Sequence, residues 1–480
     1  MSLNDNKDAS AAAATKELKK ITVLSFDVST PAYLSLCMEL LASGYEVRCI
    51  TTKYSVPLVQ SCGLVAVSTS KSKDDADNVG DTAGEDMSKE PLSFEALFQN
   101  VTQELRENPP DLILSPSPPR AQYFAWYAAY KQGIPFMEVR GEIILHDPKR
   151  GTLGFPTLWC GLHRFFFNKM YLAGAYRFMV HFENVSDMKI LTEKMPFQRF
   201  KVGYSNPTFP VLVLQSPEIP RAMYSDKVMI SPQFKTVGCC IIDPSKRELG
   251  TSLTLELSEI KERIEAFLNM DDDSRPVIYM GWETKLQRSP QAMVELCARA
   301  IHKADVRAIV LGGVASELFG MEMLQTMGGV ESSIKDYVRE NVLFLEHIPP
   351  RQWLFPKVAC TVHHGNALST TAALRAGCPT IIVPGQLQQY DYGHVVRQMG
   401  VGWYKFEEDL EDISWKKLGA RIQEVLASTA TKEKAAAMAE TLRKENGPES
   451  AALEIKQFWN DYCVTGKFIE GFTGEGGREN

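Results

Sequence analysis

Short apolar, β-branched runs alternate with amphipathic stretches in the first half of the chain. The runs lie at residues 21–26, 47–51, 112–115 and 134–139, and a helical pattern covers 121–132. Apolar residues repeating every three to four positions predict helices, whereas short apolar runs bounded by turn residues predict buried strands. This half of the chain is therefore predicted to alternate between strands and helices.

A second series of apolar runs, again with helical patterns between them, fills the other half. These runs lie at residues 277–280, 308–311, 342–345, 360–362 and 380–383. Strands that alternate with helices form parallel sheets covered on both faces. Two such blocks predict an α/β protein with two Rossmann-like, doubly wound parallel-sheet domains that face each other across a cleft. Ligands of such sheets bind at the carboxyl ends of the strands, so the cleft is the predicted site.

Changes in composition along the chain predict its domain boundaries. Polar, mixed-charge or Pro/Gly-punctuated segments predict tails, an insert and a linker. The predicted order is a disordered tail at 1–20, an N-terminal domain at 21–237 with a flexible insert at 70–90, a linker at 238–252, a C-terminal domain with a tail helix at 253–465, and a flexible tail at 466–480.

The charge balance excludes some classes of partner. The 480 residues carry 52 Lys plus Arg against 59 Asp plus Glu, a formal net charge of -7. With no basic field to hold a polyanion, nucleic acid is not an expected partner. The N-terminus has no apolar signal region, and no run reaches the ~20 apolar residues that span a bilayer. We expect a cytoplasmic protein with at most peripheral membrane contact.

The densest chemical signal is the segment TVHHGNALSTTAALRAGCP at residues 361–379. A predicted strand ends at His363, a turn of small residues follows, and a helix begins near Ser369. Free N–H groups and the dipole of a helix start favour a phosphate or diphosphate. An ordinary turn with Ser369 as N-cap gives the same pattern. His363 and His364 point to opposite faces of a strand, so a shared metal ion is not expected.

Together with NVLFLEHIPPRQWLFP at 341–356, this segment resembles the donor-binding half of GT-B UDP-glycosyltransferases. The resemblance is greatest to the branch of sterol 3-beta-glucosyltransferases and antibiotic glycosyltransferases. It implies a GT-B fold with an N-terminal acceptor domain and a C-terminal domain that binds a nucleotide sugar. It further implies inverting transfer from a UDP-sugar, for example UDP-glucose, to a hydroxyl of a lipophilic acceptor, for which a sterol is a candidate. No metal and no other cofactor is implied.

The resemblance also assigns donor-binding positions. It places the diphosphate at His363, at Thr284 and along the turn. It places the uracil by Ile348 and Gln352, and the sugar by the amide pair Gln388 and Gln389. The predicted donor-binding residues are Thr284, Ile348, Gln352, His363, Asn366, Ala367, Leu368, Ser369, Thr370, Gln388 and Gln389. The chain departs from the family pattern at Asn366 and Leu368, which replace glycines, and at Gln388, which replaces an aspartate.

A catalytic base is harder to assign. The family carries an Asp or His in the loop after the first strand, and the aligned positions here are Ser29 or Val28, neither of which is a base. Asp27 is the carboxylate in that loop and is the predicted base; as an alternative it caps the following turn. His146 is a second candidate, placed at the acceptor side.

The acceptor region offers a weaker signal. Residues 155–182 are rich in aromatic side chains with interspersed cations, a pattern that suits either a sterol-binding surface or an ordinary core helix. Because Asn366, Leu368 and Gln388 depart from the family pattern, an alternative stays open: the chain is a catalytically degenerate homologue that acts as a binding or regulatory protein. A nucleotide-sugar epimerase is a third possibility, but its cleft carboxylates are not identifiable from the sequence.

Overall fold

The computed structural model describes most of both predicted domains. The described residues are 17–25, 31–69, 94–116, 119–143, 145, 172–224, 226, 228–242, 251–270, 273–282, 288–311, 320–345, 349–385 and 387–474. Among them, no helix is both long enough and apolar enough to cross a membrane.

The first sheet has seven parallel strands in the order β3-β2-β1-β4-β5-β6-β7. Their bounds are β1 Lys20–Ser25, β2 Glu46–Thr51, β3 Val65–Ser68, β4 Leu112–Pro116, β5 Phe136–Arg140, β6 Val211–Val213 and β7 Phe234–Thr236. Apolar side chains on both faces of β1 and β4 are buried, as expected for a parallel sheet covered by helices on each side.

Helices cover this sheet on its two faces. They are α1 Pro31–Ala42, α2 Val56–Gln60, α3 Phe94–Glu107, α4 Pro119–Gln132, α5 Ala173–Val185, α6 Phe197–Ser205 and α7 Glu218–Met223. Short 3-10 or π turns lie at Lys53–Ser55 and Ile190–Lys194. We call this unit the N-lobe.

The second sheet has six parallel strands in the order β10-β9-β8-β11-β12-β13. Their bounds are β8 Val277–Gly281, β9 Arg307–Leu311, β10 Val342–Leu345, β11 Cys360–His363, β12 Thr380–Ile382 and β13 Gly402–Trp403. The helices of this C-lobe are α8 Thr251–Leu268, α9 Pro290–Ala304, α10 Met321–Thr326, α11 Ser332–Asn341, α12 Arg351–Leu354, α13 Ala367–Ala376, α14 Leu387–Met399, α15 Trp415–Ala427 and α16 Thr429–Arg443, with a 3-10 turn at Phe355–Lys357. The predicted pair of doubly wound sheets is confirmed.

The last two helices cross back to the N-lobe. They are α17 Gly447–Phe458 and α18 Lys467–Thr473, joined by a π turn at Trp459–Cys463. Phe458, Phe468 and Phe472 are buried in the N-lobe core. The structure thus differs from the predicted flexible tail at 466–480, because paired aromatic residues fold its first part onto the N-lobe. The predicted boundary of the C-terminal domain at 465 likewise includes a helix that packs on the other lobe.

Apolar and polar contacts join the two lobes at the carboxyl end of the first sheet. Tyr392 and Val395 of α14 are buried among N-lobe residues that include Val213 and Tyr224. In addition, the Glu445 carboxylate accepts hydrogen bonds from the Ser216 hydroxyl at 2.6 Å and from the Cys239 N–H at 2.9 Å. These contacts bring α14 of the C-lobe against the ends of β5 and β6.

Candidate functional site

The strand order of the second sheet reverses between β8 and β11. These strands pair in parallel with Gly281 beside His363. Loops that follow the two strands leave in opposite directions, and the crevice between them is where doubly wound sheets bind ligands. The segment that begins at His363 therefore starts at the place where this architecture holds a ligand.

His363 lies at the end of β11 with both ring nitrogens engaged. Its Nδ1 accepts a hydrogen bond from the Gly365 N–H at 3.0 Å, and its Nε2 is 3.0 Å from the Thr380 Oγ1. Burial, with smaller effects of His364 and Arg351, holds the pKa of His363 well below its usual range. The imidazole is neutral, with its proton on Nε2. His363 thus shapes the turn, and it reaches a phosphate oxygen only by giving up one of these partners.

Gly365 lets the turn after β11 pack closely against Ile382 and Gln389. Its φ is +91°, and a Cβ added there would lie 2.6 Å from the Ile382 Cγ2 and 3.1 Å from the Gln389 carbonyl oxygen. Only glycine tolerates both the left-handed backbone and this approach. The turn after β11 is consequently packed directly against the first turn of α14.

Asn366 is the N-cap of α13. Its side-chain oxygen accepts a hydrogen bond from the Ser369 N–H at 2.7 Å. The expectation of Ser369 as N-cap is corrected: the helix begins earlier, at Ala367, because the Asn366 carboxamide reaches the free N–H of the first turn. Asn366 thereby occupies one donor that the resemblance assigns to the diphosphate.

Two buried hydroxyl groups lie in the first turn of α13. Ser369 is 1% exposed and Thr370 is 0% exposed. Neither Ser369 Oγ nor Thr370 Oγ1 has a hydrogen-bond partner within the described part of the chain. A buried polar atom without a partner costs about 1–3 kcal/mol, so such atoms need a reason. At a helix N-terminus, a bound anion supplies one.

The segment predicted to contact uracil lies next to this helix. Gln352 is partly buried in α12, which packs against α13. Arg351, the first residue of α12, is close enough to depress the pKa of His363 electrostatically. This cation was not predicted from the sequence, although it directly precedes Gln352 in the motif. Together with the helix dipole it adds positive potential beside the turn.

The predicted sugar-binding pair begins α14. Gln389 is 5% exposed, and its Oε1 accepts a hydrogen bond from the Gly385 N–H at 2.7 Å. Gln388 lies in the same first turn of the helix, and its side chain falls outside the described part of the structure. The structure therefore brings Gln389 together with the turn at Gly365.

Several predicted site residues lie outside the described residues. They are Asp27, His146, Thr284 and Ile348. Their roles stay predictions. Of the three consecutive aspartates at 271–273, the structure describes Asp273, whose carboxylate is 2.6 Å from the Arg275 guanidinium and is thus engaged in an ion pair.

A polar network between the lobes was not foreseen from the sequence. Glu142 follows β5 in the N-lobe, and its carboxylate is hydrogen-bonded to the hydroxyl of Tyr392 in the C-lobe. The same hydroxyl accepts a hydrogen bond from the Gln215 Nε2 at 3.0 Å. Burial raises the pKa of Glu142. The signal available in the sequence was a carboxylate directly after a buried strand.

The aromatic region contributes mainly to the core. Phe178 and Phe182 of α5 pack edge-to-face against Phe94, as expected of a core helix, whereas residues 155–171 lie outside the described part. A separate cavity of about 490 Å³ opens near the amino ends of β5 and β6, at the edge of the sheet away from α14. Its lining includes Trp126, Phe136, Phe200, Phe209, Phe468 and Phe472.

Comparison with known proteins agrees with this geometry. Residues 315–457 match the family of the erythromycin biosynthesis protein CIII-like C-terminal domain. The chain is 24% identical to the sterol 3-beta-glucosyltransferase of Komagataella phaffii over 94% of its own length and 35% of that protein. It is 31% identical to that of Yarrowia lipolytica over 38% of its length and 12% of that protein. The chain thus spans about a third or less of these relatives.

Solved structures support the fold. The kitacinnamycin glycotransferase superposes with a TM-score of 0.61 at 15% identity, covering 92% of this chain and 99% of that one. The calicheamicin glycosyltransferase CalG4 gives a TM-score of 0.58, also at 15% identity, with the same coverage of both chains. The two parallel sheets and these superpositions define a GT-B fold. The chain is similar to the EryCIII-like C-terminal domain over residues 315–457 and to sterol 3-beta-glucosyltransferases, in line with the resemblance noted in the sequence.

Proposed function

We propose that the protein transfers a sugar from a UDP-sugar to a hydroxyl of a lipophilic acceptor, with inversion at the anomeric carbon. One observation carries this proposal: the buried Ser369 and Thr370 hydroxyls at the start of α13 have no hydrogen-bond partner among the described residues and lie beside the β8/β11 crevice. A diphosphate bound there would accept hydrogen bonds from both hydroxyls and from the remaining free N–H groups of the first turn of α13.

The donor is oriented by its surroundings. The dipole of α13 and the Arg351 charge stabilise the negative leaving group, which is the role of oriented donors in such transfers. We assign Gln352 of α12 to the uracil, and Gln388 and Gln389 of α14 to the sugar hydroxyls, as the resemblance implies. An amide binds hydroxyls without the charge assistance of an aspartate, which affects sugar selection more than phosphate binding.

A sterol is the first acceptor to test, because sterol 3-beta-glucosyltransferases are similar over most of this chain. The catalytically degenerate alternative predicts a different result in the same experiment, namely UDP-sugar binding without turnover.

The test is calorimetric titration of the full chain with UDP and UDP-glucose in EDTA, followed by a transfer assay with sterol in mixed micelles. The proposal predicts micromolar binding, about -8 kcal/mol, and a steryl glucoside whose anomeric proton coupling reports the β configuration. Product that retains the α configuration would contradict inversion. Absence of both binding and product would contradict the donor assignment.

A further inference from the structure

A carboxylate of the N-lobe meets the sugar end of the donor site. Glu142 lies two residues beyond the end of β5, in the N-lobe. Its partner Tyr392 lies in α14 of the C-lobe, one turn after Gln389. Side chains three residues apart on a helix lie on the same face, about 5–6 Å apart at their Cβ atoms. Glu142 is therefore held within one helical turn of the residue proposed to bind the sugar.

Gln389 is also close to the turn after β11 at Gly365, which is proposed to bind the diphosphate and is called the diphosphate turn below. A Cβ at Gly365 would lie 3.1 Å from the Gln389 carbonyl oxygen, and Ala367 of the same turn packs on the apolar cluster that contains Tyr392. The diphosphate turn, Gln389, Tyr392 and Glu142 thus form one continuous row across the interface of the lobes.

The backbone that carries Glu142 is fixed on both sides. The Tyr224 hydroxyl donates to the Ile143 carbonyl at 2.6 Å and accepts from the Leu145 N–H at 2.9 Å. On the other side, the Tyr33 hydroxyl donates to the Val139 carbonyl at 3.5 Å. Because the main chain is held at Val139 and at Ile143, the backbone on either side of Glu142 is fixed before any ligand binds, as a reacting group requires.

We propose that Glu142 is the catalytic base, whose carboxylate accepts the proton of the acceptor hydroxyl as that hydroxyl attacks the sugar. This inference rests on the proposed function. The new bond joins the acceptor oxygen to the anomeric carbon, and the bond from that carbon to the diphosphate breaks, leaving its electron pair on UDP. The hydroxyl proton passes to Glu142, which later releases it to water.

Inverting transfer needs the catalytic base and the leaving diphosphate on opposite sides of the sugar, and the two lobes supply these two sides. The diphosphate turn belongs to the C-lobe, whereas Glu142 belongs to the N-lobe, so the two flank a sugar bound between them. A base that works near neutral pH needs a pKa above that of an ordinary carboxyl. Burial raises the pKa of Glu142, and the hydrogen bond from Tyr392 partly opposes that rise.

Tyr392 is a positioning residue in this account, with Gln215 as its second partner. The described titratable groups near Glu142 include Tyr33 from α1, Tyr392 from α14 and Tyr224, which follows α7. Arg140, on the strand that precedes Glu142, hydrogen-bonds the Glu138 carboxylate at 2.6 Å. Of the two carboxylates Glu138 and Glu142, Glu138 is the one that pairs with this guanidinium.

The test compares Glu142→Gln with the control Glu433→Gln, an exposed glutamate of α16. Glu142→Gln is expected to bind UDP-glucose as the wild type does and to lower kcat by about 10²–10⁴. Glu433→Gln is expected to change neither. Because the pKa of the partly buried Glu142 carboxyl is raised in the folded protein, its ionised form is less favourable there than in the unfolded chain, and Glu142→Gln is also expected to unfold at no lower temperature than the wild type at pH 7.5.

Tyr392→Phe provides a second variant with a different readout. Losing its hydroxyl removes the hydrogen bond that lowers the pKa of Glu142, so the acidic limb of the kcat/KM profile is expected to move to higher pH. A merely structural tyrosine would leave that limb in place.

The outcomes separate the two proposals. A Glu142→Gln variant with wild-type kcat overturns this inference alone, as does loss of turnover in Asp27→Asn while Glu142→Gln stays active. A wild-type chain that binds no UDP-glucose overturns the proposed function, and this inference falls with it.

Discussion

The side-chain oxygen of Asn366 lies 2.7 Å from the Ser369 backbone nitrogen and accepts its hydrogen bond. This cap takes up a donor at the point where the proposed diphosphate binds. The family pattern that this segment resembles has glycine at this position, so Asn366 satisfies internally an N–H group that a glycine would leave to the ligand. Donor affinity therefore depends on whether this cap opens.

Replacing Asn366 by glycine tests that competition. We expect UDP to bind roughly tenfold more tightly in Asn366→Gly, because the freed N–H gains a charge-assisted bond of about 1.5–3 kcal/mol. The helix loses only a few tenths of a kcal/mol when glycine replaces such a cap. Calorimetry measures the affinity. Ser428→Gly, which removes the side-chain cap of α16 that accepts from Thr431, should leave UDP affinity unchanged. Weaker binding in Asn366→Gly would show that the carboxamide itself serves the ligand.

The close packing of the turn at Gly365 predicts that an alanine there lowers the free energy of unfolding more than an alanine at Gly44 does. Gly365 and Gly44 have nearly the same φ, +91° and +90°, but a Cβ at Gly44 meets nothing within 4 Å. Gly44→Ala should therefore lower the free energy of unfolding only by the cost of a left-handed backbone at alanine, about 1–2 kcal/mol. Gly365→Ala must also displace Ile382, so its free energy of unfolding in urea should fall further. Equal losses in the two variants would contradict the packing described for this turn.

His363 predicts a pH dependence of stability. Its pKa is lowered in the folded protein, so the unfolded chain binds a proton first as the pH falls below about 6.5. The stabilisation is present above that pH and is lost at up to about 1.4 kcal/mol per pH unit below it. Urea unfolding at pH 7.5, 6.5 and 5.5 should give a shallower slope for His363→Gln than for the wild type. Identical slopes would mean that His363 is not held neutral.

The sequence predicted the strands that have long apolar runs and missed those that do not. The runs at 277–280 and 342–345 correspond to β8 and β10. By contrast, β6 and β7 have three residues each, and β13 has two. Runs that short carry no periodic signal, and pairing with neighbouring strands makes them part of the sheet.

The site was predictable where its residues are contiguous. His363 to Thr370 form one strand–turn–helix unit, and the motif placed them at one crevice. The Glu142 and Tyr392 pair was not predictable, because its members are far apart in sequence and meet only when the lobes pack. The same holds for Phe468 and Phe472, whose burial depends on an N-lobe surface that the local sequence does not reveal.

Thr370→Val and Ser369→Ala each remove one of the α13 hydroxyls that are proposed to hold the diphosphate. Both hydroxyls are buried without a described partner, so their removal should leave the unfolding temperature unchanged or higher. Thr102→Val is the control, since the Thr102 hydroxyl is also buried but donates to the Phe98 carbonyl at 2.7 Å.

The deciding measurement is calorimetric titration of these three variants and the wild type with UDP. The account predicts that Thr370→Val and Ser369→Ala each bind UDP at least tenfold more weakly than the wild type, as expected for a lost hydrogen bond to a charged group, while Thr102→Val binds it normally. Wild-type UDP affinity in both site variants would contradict the account.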